Sequence, residues 1–317
     1  MPKVLSGKAI ALAINKVSKS LVAEYDLKPK MLLIQVGDDP ASSYYVQSIV
    51  NTAAKLGCEA ELLALVIDCG QEKLLKIIAE ANDNPDIHGI MIQKPLPKDI
   101  DDSIINISVS PDKDLDALLP VNLGKILMEN EVFLPCTPAA VYYTMRYYGI
   151  DPKGKHTVIL GRSNVVGKPL ANILLWKRPF ANATVTICHS QTRNLEQICR
   201  SADILISAIG KAHFVKADMI REGSVLIDVG INEIISPDGS SSFVGDVDYD
   251  ACAKKAGSIT PVPGGIGRIT TSVLYLNLVK ANLMARRINK YVDEIIDVNF
   301  SEDHNKKHNL MFGRTDE

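Results

Sequence analysis

Residues 156–170 read HTVILGRSNVVGKPL, and this stretch decides the fold of the chain. The apolar run from Thr157 to Leu160 predicts a buried parallel strand, which ends at Gly161. After a short polar turn, Gly167 leads into Pro169, a residue that suits the first turn of a helix. A strand, a glycine turn and a helix start together form the arrangement that holds a dinucleotide pyrophosphate.

The glycine spacing departs from the usual G-x-G-x-x-G pattern of dinucleotide sites. Here the pattern is Gly161-x-Ser163-x-x-x-Gly167. The glycines alone leave two interpretations open, which are a dinucleotide site and a strand–helix turn that binds no ligand.

The next predicted strand, residues 183–187, supports the dinucleotide site. In an NAD site an acidic residue at the end of this strand binds the ribose 2′-hydroxyl. The segment from Cys188 to Arg193 has no acid, but it contains Ser190, and Arg162 and Arg193 supply positive charge. Hydroxyl and guanidinium groups suit a 2′-phosphate, so the sequence predicts NADP as the cofactor.

Composition bounds the class of protein. The chain has 317 residues, 46% of them hydrophobic, which allows two domains of ordinary size. The formal net charge of -2 gives no reason to expect nucleic acid as a partner. The 6 cysteines lack C-x-x-C spacing, and no cluster predicts a metal site. With no signal-peptide core and no membrane-spanning apolar run, we expect a cytoplasmic protein with no membrane partner.

The first half of the chain predicts a small parallel α/β domain. Its helices are expected at residues 7–25, up to about 56, and at 71–82, and its strands at 31–36, 61–67 and 89–93. A helix that begins after Pro135 and ends at Gly149 closes this half. We therefore predict a first domain over residues 1–149.

The second half predicts a Rossmann-like dinucleotide domain over residues 150–270. Further strands are expected at 203–207 and 225–232, followed by a Pro- and Gly-rich loop at 259–270. A long helix at 271–295 has an apolar face that is expected to pack on the first domain, which would leave the active site in a cleft between the two domains. The tail, residues 296–317, is polar and is expected to be disordered. The predicted fold class is therefore α/β, with two α/β domains and a C-terminal helix that returns to the first.

Several motifs in this order resemble one family, the methylenetetrahydrofolate dehydrogenase/cyclohydrolases. The resemblance covers nearly the whole chain to about residue 295, and its motifs are jointly specific. They are Ser6-Gly7-Lys8, Val36–Ser42 (VGDDPAS), Tyr45-Val46, Ile92-Gln93-x-Pro95-Leu96-Pro97, Lys113-Asp114-Leu115-Asp116, Pro135-Cys136-Thr137-Pro138, Gly161–Pro169, Cys188-His189-Ser190, Ile227–Asn232, Gly245-Asp246-Val247 and Thr260–Gly265.

The resemblance implies a reaction and a set of site residues. A hydride passes from 5,10-methylenetetrahydrofolate to the nicotinamide of NADP, and in bifunctional members the methenyl product is then hydrolysed to 10-formyltetrahydrofolate. Tyr45 would stack on the aminobenzoyl ring, Asp116 would bind the pterin and Gln93 would assist the chemistry. The other implied contacts are Pro263, Gly264 and Gly265 for the substrate, and Gly161, Arg162, Ser163, Ser190, Ile231 and Thr270 for the cofactor. The resemblance also implies a homodimer and a role in one-carbon metabolism and purine biosynthesis.

The chain departs from the family pattern near the predicted substrate site. The family has a lysine four residues after the tyrosine, on the same helix face, where this chain has Ile49. Lys94 replaces a usually apolar residue, Ala117 replaces Gly, and Arg268-Ile269 replaces Pro-Met. We therefore expect dehydrogenase activity with weak or absent cyclohydrolase activity, and either Lys94 or Arg268 could restore a positive charge.

Two alternatives stay open at this point. The chain could be a non-catalytic paralogue that binds folate or dinucleotide, or a dehydrogenase of another substrate. The departures near the substrate site favour these alternatives, whereas the preserved Gln93, Asp116 and cofactor loops oppose them.

Overall fold

The computed structural model describes residues 2–37, 40–235, 240–289 and 292–301, with the backbone alone over 40–45. The chain divides into two compact units. Residues up to 12 together with 135–270 form one, called here the six-stranded unit. Residues 13–134 together with the chain from 271 form the other, called the three-stranded unit.

Strands and helices alternate along most of the chain. The strands are β1 (Lys3–Val4), β2 (Lys30–Val36), β3 (Glu59–Leu65), β4 (Gly89–Ile92), β5 (His156–Leu160), β6 (Thr184–Cys188), β7 (Ile204–Ser207), β8 (Val225–Asp228), β9 (Asn232–Ile235), β10 (Ser241–Val244) and β11 (Ser258–Ile259). The helices are α1 (Gly7–Glu24), α2 (Pro40–Leu56), α3 (Gln71–Asp83), α4 (Asp102–Ser108), α5 (Pro120–Leu127), α6 (Cys136–Tyr148), α7 (Gly167–Leu175), α8 (Leu195–Arg200), α9 (Tyr249–Cys252), α10 (Thr270–Ala285) and α11 (292–301).

The six-stranded unit is a parallel sheet in the order β1-β11-β8-β7-β5-β6. Starting from β5, the strands β6, β5, β7, β8 and β11 follow the 2-1-3-4-5 order of a doubly wound fold. The order reverses between β5 and β7, and ligands of such sheets lie outside the carboxyl ends of the strands at that point. The predicted Rossmann-like architecture is confirmed.

The three-stranded unit is a parallel sheet in the order β3-β2-β4. The central strand β2 is buried along nearly its whole length, as a continuous apolar strand covered on both faces should be. The edge strand β3 alternates between exposed and partly buried residues. Helix α3 covers the sheet with Leu74, Ile78 and Ala81, which share one face at helical spacing.

The division of the chain differs from the predicted boundary near residue 149. Gly149, with φ of 68°, ends α6 as expected. However, α6 belongs to the six-stranded unit, because its side chains are buried almost all round and it packs against α7. The first strand, β1, also joins this unit by pairing with β11. The six-stranded unit thus takes in α6, which the predicted boundary leaves with the first domain.

The predicted strand over 225–232 ends early. The strand β8 stops at Asp228, and the chain then turns into the antiparallel pair β9–β10. Just after the break the backbone passes close to Asp246, since a Cβ atom on Gly230 would lie 2.2 Å from Oδ1 of that residue. An apolar pattern alone does not reveal this contact, because the two residues are distant in sequence.

The predicted long helix at 271–295 is two helices. Helix α10 ends where Arg287 adopts a left-handed conformation, with φ of 56°. The N–H of Ile288 then bonds to the carbonyl of Leu283 at 2.9 Å, which is a typical helix C-terminal arrangement. Residues 296–301, expected to be disordered, belong to α11 and bury Ile296 and Phe300. The remainder of the predicted tail, 302–317, lies outside the described residues.

Helix α10 returns to the first half of the chain, as predicted. It is buried all round, and its polar groups bond to backbone carbonyls of the three-stranded unit. The hydroxyl of Tyr275 donates to the carbonyl of Ile49 at 2.7 Å. The amide of Asn277 donates to the carbonyls of Leu115 and Leu134, both at 2.8 Å. These bonds tie the C-terminal helix to α2 and to the segment that carries Asp116.

The bond from Tyr275 to Ile49 gives a test of this packing. Tyr275→Phe keeps the ring but leaves the buried carbonyl of Ile49 without this donor. Because this carbonyl lies inside α2 and keeps its helical hydrogen bond, we expect the free energy of unfolding to fall by about 0.5–1.5 kcal/mol, the usual net contribution of one hydrogen bond. Urea denaturation monitored by circular dichroism would measure it, and an unchanged m-value would show that both variants unfold from the same compact state. An unchanged denaturation midpoint would contradict the assigned role of the bond.

Candidate functional site

The turn after β5 is built so tightly that two positions require glycine. Gly161 has φ of +112°, and a Cβ atom there would lie 2.3 Å from the carbonyl oxygen of Ala208, at the end of β7. A Cβ atom on Gly167 would lie 2.1 Å from the carbonyl oxygen of Gly161. The turn therefore brings bare backbone to the carboxyl ends of β5 and β7, where the strand order reverses.

The segment between these glycines is exposed and ends in the N-terminus of α7. Ser163 accepts the N–H of Val166 on its hydroxyl at 3.0 Å, and its carbonyl accepts the N–H of Lys168 at 3.1 Å. Arg162 and Ser163 both face solvent. Because a helix N-terminus carries a partial positive charge and this turn lacks Cβ atoms at its closest points, a pyrophosphate fits here.

Arg162 and Ser190 lie at the same edge of the sheet. Leu160 and Cys188 are paired neighbours on β5 and β6, and each site residue lies two positions beyond its strand end. The N–H of Gly161 donates to the carbonyl of Cys188 at 2.9 Å, so the pairing continues past β5. Both side chains are exposed and available to a ligand at this edge. A guanidinium and a hydroxyl at this place fit the 2′-phosphate of NADP.

The segment after β8 carries Ile231, whose side chain is 60% exposed despite being aliphatic. It approaches the Pro- and Gly-rich loop, because a Cβ atom on Gly267 would lie 3.1 Å from Cδ1 of Ile231. Thr270, at the start of α10, donates its hydroxyl to the carbonyl of Gly267 at 3.1 Å. The structure thus brings together Ile231 and the loop leading to Thr270, two of the predicted cofactor contacts.

The loop at Pro263–Gly265 is held against the start of α1. The peptide between Val262 and Pro263 is cis, and Gly264 has φ of +108°. The carbonyl of Gly264 accepts the N–H of Gly7 at 2.9 Å. A Cβ atom on Gly265 would lie 2.5 Å from the carbonyl oxygen of Pro261, so the loop is compact. Pro263 is exposed at its surface, as a substrate contact would be.

Gln93 follows β4 in the three-stranded unit. Its N–H continues the sheet by bonding to the carbonyl of Ile34 at 2.8 Å, and its side-chain amide donates to the carbonyl of Lys94 at 2.7 Å. The ammonium of Lys94 forms an ion pair with Asp102 of α4 at 2.9 Å. Arg268 is exposed on the short 3₁₀ turn Ile266–Arg268 of the other unit. Whether Lys94 or Arg268 compensates for the missing lysine stays a prediction.

Asp116 lies on a segment fixed from several sides. The ammonium of Lys113 donates to the carbonyls that end α3, those of residues 81, 82 and 84, at 2.7–2.8 Å. Asp114 accepts the N–H of Leu119 and the side-chain amide of Asn122, both at 2.9 Å. Leu115 is buried against Gly89, where a Cβ atom would lie 2.4 Å from it. Half-buried Asp116 is thereby held on a rigid segment.

The residue after Asp116 is under backbone strain. Ala117 is buried and has φ of 50°, in the left-handed region that disfavours residues with a Cβ atom by roughly 1–2 kcal/mol. Its N–H bonds to the carbonyl of Asp114 at 3.1 Å. The departure from glycine at this position therefore strains the turn without breaking it.

Ile49 is fully buried, with 0% of its side chain exposed. It lies on α2, one helical turn after Tyr45, so the two positions share a helix face. The side chain of Tyr45 is outside the described residues. Among the side chains that the structure describes, the predicted site residues of the three-stranded unit are thus Gln93 and Asp116, with Ile49 at the position where the family pattern has lysine.

Two buried carboxylates near β8 were not among the predicted site residues. Asp228 accepts the N–H groups of Gly230, Asp246 and Val247 at 2.8–3.0 Å. Its burial raises its pKa to about 6, and the nearby Asp246 carboxylate acts in the same direction. The motifs Ile227–Asn232 and Gly245–Val247 contain both acids. The signal that could have identified Asp228 is its place at the end of an apolar strand.

Metal-binding clusters and membrane-spanning helices are both absent from the described residues. No group of three or more His, Cys, Asp or Glu side chains among them is placed to hold a metal ion. None of the helices within the described ranges is both long and apolar enough to cross a membrane.

Comparison with known proteins matches both halves of the chain. Residues 5–116 match the family model for the tetrahydrofolate dehydrogenase/cyclohydrolase catalytic domain. Residues 135–286 match the model for the NAD(P)-binding domain of the same family. The bifunctional protein FolD of Chloroherpeton thalassium is 43% identical over 286 residues, which cover 88% of this chain and 97% of that protein.

Solved structures agree with these matches. The bifunctional FolD dehydrogenase/cyclohydrolase of Campylobacter jejuni has a TM-score of 0.84 and 37% identity, covering 90% of this chain and 99% of that one. The FolD dehydrogenase-cyclohydrolase of Trypanosoma brucei, complexed with NADP and an inhibitor, has a TM-score of 0.84 and 34% identity. The alignment covers 90% of this chain and 100% of the Trypanosoma brucei chain.

The raised pKa of Asp228 predicts a pH dependence of stability. Its carboxyl binds a proton more tightly in the folded chain (pKa about 6) than in the unfolded chain (3.8). Its contribution is therefore fully present below about pH 4 and is lost as the pH rises through about 6. The shift corresponds to about 3 kcal/mol at most. Asp228→Asn removes this titration, so its stability should decline less than that of the unmutated chain between pH 4 and 7.

Urea denaturation at several pH values would measure the two curves. Asp248→Asn is the matched control, because the ion pair with Lys216 lowers the pKa of Asp248. The stability from Asp248 is present above its unfolded pKa and is lost as the pH falls, which is the opposite sign. Parallel curves for the unmutated chain and Asp228→Asn would contradict the assignment.

Proposed function

The chain belongs to the tetrahydrofolate dehydrogenase/cyclohydrolase family, and from this we propose that it is an NADP-dependent 5,10-methylenetetrahydrofolate dehydrogenase. A hydride from the one-carbon bridge of the substrate passes to the nicotinamide, which supplies the hydride acceptor when the cofactor is bound. The products are 5,10-methenyltetrahydrofolate and NADPH.

The observation that carries this proposal is the turn at the ends of β5 and β7. Gly161 and Gly167 keep Cβ atoms away from its closest points, and the N-terminus of α7 follows. Arg162 and Ser190 stand at equal distances in sequence beyond paired residues of β5 and β6. With no acid in that place, the site favours a 2′-phosphate over a free ribose hydroxyl.

The substrate side of the proposal depends on Asp116 and Gln93. A pterin presents an edge of N–H groups that suits a fixed carboxylate, and Asp116 lies on a segment anchored by Lys113, Asp114 and Asn277. Gln93 has its amide nitrogen bonded to the carbonyl of Lys94, which limits how the side chain turns. Hydride transfer needs such groups to hold the substrate in line with the nicotinamide, and Tyr45 would add stacking on the aminobenzoyl ring.

The second reaction of the family makes a different demand, and we propose that this chain performs it weakly or not at all. Hydrolysis of the methenyl bridge needs activated water and a group that moves protons. The family lysine is replaced by Ile49, which is apolar, cannot carry a proton, and is fully buried. Loss of a general acid or base lowers a rate by about 100- to 10,000-fold.

A turnover assay together with a calorimetric titration of each ligand separates the proposed activity from its alternatives. The purified chain is incubated with 5,10-methylenetetrahydrofolate and NADP while methenyl product and NADPH are recorded by absorbance. Equal formation of both supports the dehydrogenase. Binding of both ligands without turnover would indicate a non-catalytic paralogue, and NADP binding without folate binding would indicate a dehydrogenase of another substrate.

Arg162→Ala tests the preference for NADP. We expect the KM for NADP to rise by about tenfold or more, the usual effect of losing a charge-assisted bond to phosphate, with little change for NAD. Steady-state kinetics with both cofactors would measure it. Arg200→Ala is the control, because this exposed arginine lies at the end of α8 and bonds to the carbonyl of Asp218. An equal rise for NADP and NAD in Arg162→Ala would show that Arg162 does not bind the 2′-phosphate.

Ile49→Lys tests the division between the two reactions. The unmutated chain should hydrolyse purified methenyltetrahydrofolate at close to the buffer rate, because it lacks the proton-moving group. Ile49→Lys should raise that rate, whereas the control Ile49→Met, which keeps an apolar side chain of similar volume, should not. Hydrolysis by the unmutated chain clearly above the buffer rate would refute this part of the proposal.

Two further parts of the proposal rest on the family resemblance. They are assembly as a homodimer and a role in supplying one-carbon units for purine biosynthesis. A cytoplasmic location stays an expectation from the sequence.

A further inference from the structure

Asp246 has the densest set of hydrogen bonds to any side chain near the proposed cofactor site in the described part of the chain. Its side chain is 0% exposed. One carboxylate oxygen, Oδ2, accepts the hydroxyl of Ser207 at 3.0 Å and the N–H groups of Ile209 and Gly210 at 2.8 and 3.3 Å. The other, Oδ1, accepts the N–H of Lys211 at 2.8 Å and the side-chain amide of Asn232 at 3.1 Å. The five donors engage both side-chain oxygens, whereas a side-chain amide offers only one oxygen as an acceptor.

These bonds join two segments that follow different strands. Residues 208–211 come after β7, and residues 229–232 come after β8. The carboxylate of Asp246 therefore links the two segments beyond the point where the pairing of β7 and β8 ends. The fit is close, because a Cβ atom on Gly230 would lie 2.2 Å from Oδ1 of Asp246. Between Gly230 and Asn232 stands Ile231, with its aliphatic side chain 60% exposed.

The strand order assigns these segments to one end of the cofactor. In a doubly wound sheet the pyrophosphate lies at the turn after the first strand, here β5, and the adenosine ribose lies beside the second, here β6. The ends of β7 and β8 are on the other side of β5. A dinucleotide that crosses the reversal point therefore extends its nicotinamide half over residues 208–211 and 229–232.

We propose that Asp246 is a positioning residue that holds these two segments, and through them Ile231, in the geometry that orients the nicotinamide half of the dinucleotide. The inference rests on the proposed function, because it assumes NADP at this site. Asp246 does not itself touch the reacting atoms in this account. It acts by fixing backbone N–H groups and Asn232.

Asp246→Asn is the direct test, because the amide keeps the shape but turns an NH₂ group toward donors. Calorimetric titration of the full chain would compare NADP with 2′-phospho-ADP-ribose, which lacks the nicotinamide. We expect the Kd for NADP to rise by about tenfold or more, since a small misplacement has effects of that size or larger. The Kd for 2′-phospho-ADP-ribose should stay within about twofold, the range of a substitution away from the contact.

Kinetics supply a second measurement. The kcat should fall and the KM for NADP should rise, while the KM for methylenetetrahydrofolate stays the same. The matched control is Asp248→Asn, which alters a half-buried acid two residues away that pairs with Lys216 at 3.1 Å. This control should bind both ligands as the unmutated chain does.

Asn232→Ala covers the case in which Asp246→Asn does not fold, as judged by circular dichroism. Of the five bonds to Asp246 it removes one, and it also removes the long bond of the same amide to the carbonyl of Val244 at 3.5 Å. It should therefore weaken NADP binding by a smaller factor and spare 2′-phospho-ADP-ribose. Equal weakening of both ligands in a folded variant, or unchanged NADP binding in both variants, would overturn the inference. Failure of the unmutated chain to bind NADP would instead overturn the proposed function, and this inference with it.

Discussion

The close approach of the ends of β5 and β7 constrains the rest of the six-stranded unit. Because a Cβ atom on Gly161 would lie 2.3 Å from the carbonyl oxygen of Ala208, the two strand ends meet as bare backbone. The turn then folds back so that Gly167 lies against the carbonyl of Gly161. This contact again leaves no room for a side chain at Gly167. Helix α7 starts at that point, so its N-terminus faces the place where the strand order reverses. A binding place for a pyrophosphate thus follows from packing between main-chain atoms.

Two buried carboxylates hold the segments that follow the neighbouring strands β7 and β8. Asp228 and Asp246 are both nearly inaccessible, and each has its oxygens satisfied mainly by N–H groups of loops. Charged groups are expensive to bury, and such acceptance of several N–H donors is what makes burial tolerable. These hydrogen bonds hold the loops in place although the loops have no regular secondary structure. The three-stranded unit uses a lysine in the same way, since Lys113 holds the segment of Asp116 against the end of α3.

Sequence patterns predicted those elements whose signals are local. The strands β2 and β5 are continuous apolar runs, and α3 has its apolar residues at helical spacing, so each was placed within about two residues, the usual uncertainty of element ends. Two-residue strands such as β1 and β11 are too short for any periodicity. In α11 the buried residues Val292, Ile296 and Phe300 recur every four residues. This pattern was not recognised as a separate helix, because most of the residues around it are polar.

The candidate site, like the fold, was predictable only where its signals are local in the sequence. Turn glycines and Arg162 with Ser190 could be placed because each follows an apolar strand. Functional roles for Gln93, Asp116 and Tyr45 came from the family resemblance alone. The bonds of Asp246 to residues 207–211 and of Asn277 to Leu115 join segments far apart in the chain, and no local pattern contains them.

The pairing of β1 with β11 also bears on how the chain acquires its structure during synthesis. Residues 3–4 leave the ribosome long before their partners Ser258 and Ile259, which lie near the end of the unit. Translation proceeds at about 5–20 residues per second, so the first strand waits on the order of tens of seconds for its neighbour. Each unit, moreover, combines two separate segments of the chain. Neither can complete folding as its first segment emerges, and a nascent chain must keep its early apolar segments from aggregating until α10 has been made.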